Sequence, residues 1–378
     1  METFNGLIIS RSKSKSQNGM WPITLSFLGL ALFIRILLII FSRTPLFVEK
    51  YYSSTIYPSM AKSIGLINRI IPFSLGELSL IALVIGFFVS IILFIFKPIL
   101  LVNNIFKILH WIVRALATVY ILFYILWGFN YYRMDLMDIA QMNKEPGTFE
   151  ELKNLASEVI DELNIIREDL IEDANGVFLI DEDFHRLSSI AQDGFEDLVF
   201  GDLYLSGNFS NAKPILISYY MSYTGIMGIY FPYTFEPNIN TNIPYHNLLS
   251  TINHEMAHQR GFAKEDEANF IAFKTSINNP DKRFQYSGYH LAFQYLMKEI
   301  YIESKEDYFL LYTNLSDAVK RDLDYGRDYW NSKEGKAEEV MNTMNDTYLK
   351  ANNQQDGIKS YNGVVKLLLS DYKNTPRY

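Results

Sequence analysis

The chain has 378 residues, of which 49% are hydrophobic and 15% aromatic, and it has no cysteine. That length is enough for two or three domains, and without cysteine any zinc must be held by histidine and carboxylate. The net charge of −8 divides unevenly: residues 1–133 hold 12 Lys/Arg against 3 Asp/Glu, and the remainder holds 22 against 39, an acidic surplus that excludes nucleic acid as a natural partner.

A polar tail, residues 1–21, carries Arg11, Lys13 and Lys15. Pro22 to Phe41 is about 20 mostly apolar residues, enough to cross a hydrocarbon core. Leu78–Phe96 and Ile108–Phe129 are two further spans, the first without any charge, the second with His110 and Arg114 near one end. Between the first two, Tyr57–Pro72 reads as an amphipathic helix that either lies on the bilayer surface or caps the three-span bundle. Trp111, Trp127, Tyr131 and Tyr132 suit the interfacial belts. Basic residues in the tail and in the short second loop favour a cytoplasmic N-terminus, which puts the acidic part outside the cytoplasm.

The expected organisation is therefore a tail (1–21), a membrane domain (22–133) and a soluble domain (134–378). The soluble domain should be mainly helical, α+β with a small sheet. Thr148 and Glu151 form a capping-box pattern ahead of a helix marked by Leu152, Leu155, Val159, Ile160, Leu163 and Ile166. Asp181–Leu198 reads as another helix, with His185 solvated at its start. Lys213–Tyr219 and Gly228–Asn240 are rich in β-formers, and prolines turn the second. Glu236 and Asn238 are either cleft residues or ordinary turn residues, and His246 is expected to be structural and to precede the next helix.

That next helix contains His254-Glu255-Met256-Ala257-His258, an H-E-x-x-H run. Positions i and i+4 share a helix face, so two imidazoles can grip one zinc ion, and Glu255 is placed as general base for its water. Gly261 stands where a left-handed cap would end the helix. A second helix then starts near Glu265. Glu267, Phe270 and Ile271 share its apolar face, which assigns the third zinc ligand to Glu267 ahead of Glu265, with Asp266 and Asn269 as orienting partners. Candidates for stabilising an oxyanion are Tyr361, Tyr348 and His290, with Tyr361 placed in a polar loop (352–361) that packs over the site.

The segments WGFNYYR (127–133), GIYFPYTFEPNIN (228–240), HEMAHQRGFAKEDEANFIAF (254–273), YSGY (286–289) and NDTYLKANNQQDGIKSY (345–361), behind three spans, resemble the bacterial domain of unknown function 3810 family over nearly the whole chain. The resemblance implies a membrane-bound zinc peptidase of zincin-like fold with no assigned substrate. The EDEANF stretch is similar to the glutamate-bearing helix of gluzincin peptidases, but its gap from His258 is much shorter. The expectation is a membrane-anchored zinc peptidase acting on a peptide or protein. The alternatives are a non-catalytic membrane sensor or assembly factor with a structural zinc site, and an intramembrane protease, which the polar surroundings of His254 disfavour.

Overall fold

The computed structural model describes residues 19–207, 209–354 and 363–374. Three helices are long and apolar enough to cross a membrane: α1 (Met20–Phe41), α3 (Leu75–Phe96) and the segment Asn104–Leu126 of α4 (Pro98–Leu126). Twenty-two residues at about 1.5 Å each give roughly 33 Å, the depth of a bilayer core. Arg114 of α4 donates to Thr24 Oγ1 and to the Met20 carbonyl of α1, and Trp21 packs edge-on against His110. The polar groups of α1 and α4 thus satisfy one another where the two helices meet.

The connection from α1 to α3 is largely helical. A π-helix, Val48–Ile56, runs into α2 (Tyr57–Asn68). Tyr57, Ala61, Gly65 and Asn68 form the buried stripe of α2 at intervals of four and three. That stripe packs on the C-terminal part of the chain: Arg69, just past α2, donates to the Phe209 carbonyl, and Tyr57 reaches Tyr230. Helix α2 thus packs on this later part of the chain, and its Tyr57 and Ala61 also share a core with Ile34 and Leu38 of α1 and Ile121 and Tyr124 of α4.

Helix α4 stops at Leu126, where Trp127 leaves helical geometry, and the chain turns through a 3-10 segment, Gly128–Tyr132. Helix α5 (Phe149–Arg167) begins at Thr148 with a complete capping box: the Glu151 amide donates to Thr148 Oγ1 at 3.2 Å and the Thr148 amide to Glu151 Oε2 at 2.7 Å. The helix expected from Asp181 is shorter, Phe184–Ile190 followed by a 3-10 turn, and His185 is exposed at its start.

A three-stranded sheet follows, with β1 (Lys213–Pro214), β2 (Gly228–Phe231) and β3 (Glu236–Ile239) in the order β1–β3–β2. Strand β3 is parallel to β1 and antiparallel to β2, so β2 is an edge. Only two residues of the 213–219 segment are strand; Ser218–Met221 turn helical instead. Glu236 and Asn238 are buried in β3 and serve structure. Glu236 pairs with Lys213 at 3.1 Å and accepts the Gly76 and Leu75 amides at the start of α3. Asn238 bonds to the carbonyls of Ile229 and Glu236.

The longer helices that follow are α6 (Tyr245–Gln259), α7 (Glu265–Asn278), α8 (Lys282–Glu303), α9 (Asp317–Asn331), α10 (Lys336–Ala351) and α11 (Gly363–Asn374), with a shorter helix, Lys305–Thr313, between α8 and α9. Helix α8 packs against α5, α6 and α7, and α11 against α7. Their apolar faces, with the sheet, make the main core. A second core is shared between halves: Ile34 and Leu38 of α1, Ile121 and Tyr124 of α4, and Tyr52 and Tyr57 lie together with Tyr230, Phe235 and Ala263.

Candidate metal centre

Helix α6 is buried over nearly its whole length. It ends in a Schellman motif: the Gly261 amide (φ +91°) bonds to the His258 carbonyl at 2.9 Å and the Phe262 amide to the Ala257 carbonyl at 3.3 Å. The turn carries the Phe262 carbonyl back to His258 Nδ1, 2.6 Å away. A carbonyl only accepts, so Nδ1 holds a proton and Nε2 is the nitrogen left to serve a metal. His254 Nδ1 meets Asn269 Oδ1 of α7 at 2.9 Å, which leaves its Nε2 turned the same way. The two rings stand perpendicular, 4.7 Å between centroids.

The turn also delivers α7. Its first residue, Glu265, places Oε2 3.3 Å from His254 Nε2 and 3.7 Å from His258 Nε2. One ligand atom from each of His254, His258 and Glu265 lies within 4.8 Å of the other two. Glu267, the expected third member, is elsewhere. Two residues further on is about 200° further round the helix, and there its Oε1 accepts the Leu136 amide at 2.8 Å and lies 3.5 Å from Lys264 Nζ. Of the expected orienting pair, Asn269 does hold His254. Asp266 instead bonds to the Glu267 amide, and burial with the neighbouring Glu267 charge pushes its carboxyl up to about 7.

The charges at the centre are tightly coupled. Burial disfavours the imidazolium of His258, but Glu265 and then Glu255 override it and push the group up to about 9. Burial acts against the Glu265 carboxylate too, yet His258 and His254 hold it well below the usual range. Glu255 is buried and raised by that burial, with the histidines pulling the other way. Its carboxylate accepts the Tyr230 amide, and its Oε2 has no partner among the described residues. Strand β2 runs against it so closely that a Cβ on Gly228 would lie 2.6 Å from Glu255 Oε1.

The wall nearest the membrane helices is aromatic. The Trp127 ring stands edge-on to His258 at 5.9 Å. Tyr57 Oη contacts Tyr230 Oη at 2.8 Å and donates to the Gln259 carbonyl at 3.1 Å. Arg133 forks onto Glu49 of the π-helix at 2.7 and 2.8 Å and donates to the Gly261 carbonyl at 2.9 Å, which ties the end of α6 to the loop after α1. None of these residues stood out in the sequence as site residues; the WGFNYYR run was the available signal, and it reads equally well as an interfacial belt.

The three oxyanion candidates part company. Tyr361 lies outside the described residues, as does most of the polar loop around it. His290 is buried against His246 with ring centroids 4.2 Å apart, and His246 lies inside the first turn of α6 rather than before it. Tyr348 of α10 receives a hydrogen bond from Tyr131 Oη at 2.9 Å; desolvation, aided by the Glu265 charge and opposed by that bond, pushes its hydroxyl up to about 12, although the residue is 40% exposed.

No curated protein and no solved structure matches this chain. The family model described as "Protein of unknown function (DUF3810)" matches residues 52–369, a stretch that runs from the π-helix to α11 and takes in α6, α7 and the aromatic wall between them, and the chain belongs to that family.

Proposed function

We propose that the chain is a membrane-anchored, zinc-dependent peptidase whose metal-bearing part is zincin-like and lies outside the cytoplasm. The observation that carries this reading is the convergence of His254 Nε2, His258 Nε2 and a Glu265 oxygen beside a buried Glu255 whose Oε2 is unpartnered. Both imidazoles are held through Nδ1 with Nε2 turned toward the Glu265 carboxylate, the arrangement that a divalent zinc site with nitrogen and oxygen donors requires. The cluster has three members among the described residues, and a closed structural site would need a fourth. Zinc held there would polarise a peptide carbonyl and acidify the attacking water.

The chain's own residues do the rest. Glu255 takes the proton from the water and passes it to the departing amine, a shuttle favoured by a carboxylate that burial has made more basic. The free edge of β2 holds the substrate backbone extended beside Glu255. Tyr348, a neutral hydroxyl at physiological pH, donates to the developing oxyanion.

The test uses the full-length chain in detergent micelles, metal analysis and a peptide library. Glu255→Gln should keep about one zinc per chain and lose about 10²–10⁴-fold in kcat/KM. Equal cleavage by wild type and Glu255→Gln removes the proposed base and with it the mechanism.

A further inference from the structure

We propose that the substrate is presented from the bilayer, and that the centre cuts the juxtamembrane segment of a membrane-anchored polypeptide a few residues outside its spanning stretch. This rests on the peptidase reading above and names the substrate class for that same site.

The first ground is where the centre sits along α4. Trp127, whose ring faces His258, is the residue immediately after that helix. The metal ligands are thus one side chain away from the end of a membrane-spanning segment, although more than a hundred residues separate them in sequence.

The second ground is the direction of β2. The strand starts at Gly228, against Glu255, and its hairpin reaches Tyr233, whose hydroxyl donates to the Val119 carbonyl of α4 at 3.2 Å. Val119 precedes the end of α4 by seven residues, or about 10 Å of helix. Five residues of extended chain cover at most about 16 Å. A substrate laid along the free edge of β2 therefore follows a path of about five residues from the bond beside Glu255 to the flank of α4.

The third ground is a second attachment to a membrane helix. Glu77, in the first turn of α3, accepts the amides of Leu216 and Ile217 at 2.9 and 3.0 Å. The loop so held exposes Leu216 and Tyr220, each about 70% accessible. An apolar and aromatic loop fastened to the end of a span belongs in the headgroup layer. This loop and the β2 hairpin are each attached to a membrane helix, and the hairpin's strand runs against Glu255, so a polypeptide already in the bilayer reaches the centre along β2 without crossing bulk water.

The experiment uses the full-length, zinc-loaded chain in proteoliposomes. The probe is a peptide library randomised over ten positions, supplied free and joined directly to a single Leu/Ala transmembrane helix inserted in the same vesicles. The anchored form should be cleaved at least ten-fold faster, with cuts mapped by mass spectrometry clustering about three to seven residues from the helix, the span that the β2 path allows. Free peptides cut as fast as anchored ones, or cuts spread evenly over the ten positions, overturn membrane presentation and leave the peptidase reading standing. Cleavage of neither form overturns the peptidase reading itself.

Discussion

At the level of single residues, the motif was legible and its completion was not. His254, Glu255 and His258 converge through the geometry of one helix, and that geometry follows from spacing alone. The facing argument for α7 identified Glu267 as inward-turned, and it is 3% exposed. Inward, however, means toward Leu136, because the Schellman turn at Gly261 sets how α7 approaches α6 and brings its first residue to the imidazoles. Such a turn-dependent register is not encoded in periodicity. Glu265→Ala should lose zinc, measured by metal analysis after dialysis, and Glu267→Ala should keep it while losing about 1–3 kcal/mol of stability from the unpaired Leu136 amide. Metal retained by the first and lost by the second would reverse the assignment. The buried His246–His290 pair makes a separate prediction. Burial holds His246 down at about 3 and His290 well below its ordinary value, and both ring nitrogens of His290 lack partners among the described residues. Of the charged groups, Asp322 favours the His290 imidazolium, but it is already engaged by Arg167 and Tyr286. Because the fold prefers the neutral rings, their stability is fully present above about pH 6.5 and falls as acid approaches the folded value. The melting temperature should drop between pH 7 and 5, and His290→Leu should flatten that slope; an unchanged slope would mean the pair does not titrate.

At the level of elements, helix-forming segments were readable because caps and apolar periodicity are local. The three spans and α5 announce themselves in this way. The chain leaves β1 after Ile215, whose amide still bonds the Ile239 carbonyl of β3, because the next two amides, of Leu216 and Ile217, are taken by Glu77. Charges from the sheet also fasten the membrane part. Lys213 donates to the carbonyls of Asn68, Ile71 and Phe73 where α2 ends, and Glu236 receives the amides where α3 begins. Each charge has the sign that a helix terminus attracts. Helix α10 is held at its C-terminal end by Tyr348 on Tyr131 and by Asn352 just beyond, whose Oδ1 accepts from Tyr124 of α4. It thereby fixes Tyr348 on Tyr131, next to the Trp127 ring that stands against His258. Tyr348→Phe should lower kcat by about 10²–10³ while zinc content and KM stay close to wild type. A kcat within two-fold of wild type would remove Tyr348 from the chemistry.

For the whole molecule, the charge asymmetry divides the part with three long apolar helices from an acidic part, but it gives no sign that the two share a core. That sharing depends on contacts between residues such as Tyr57 and Gln259, which no local pattern reports. Under the proposed topology, three crossings place the two ends of the chain on opposite sides of the membrane. With the metal-bearing part outside, a C-terminal alkaline phosphatase fusion should be active and a C-terminal green fluorescent protein fusion exported by the general secretion route should stay dark; the reverse pattern would invert the topology.

The shared core also imposes an order on biogenesis. Tyr57 and the Gln259 carbonyl it bonds are 202 positions apart. At 5–20 residues per second the ribosome needs roughly 10–40 s to make the second after the first. During that interval α2 has no floor to pack on, and the segment carrying His254 and His258 does not yet exist. Under the proposed topology, the imidazoles acquire their aromatic wall only when the late-made half has reached the side of the membrane where residues 48–68 would already wait. The proposed hydrolytic centre is thereby kept incomplete on the ribosomal side of the bilayer and is finished by arrival on the other.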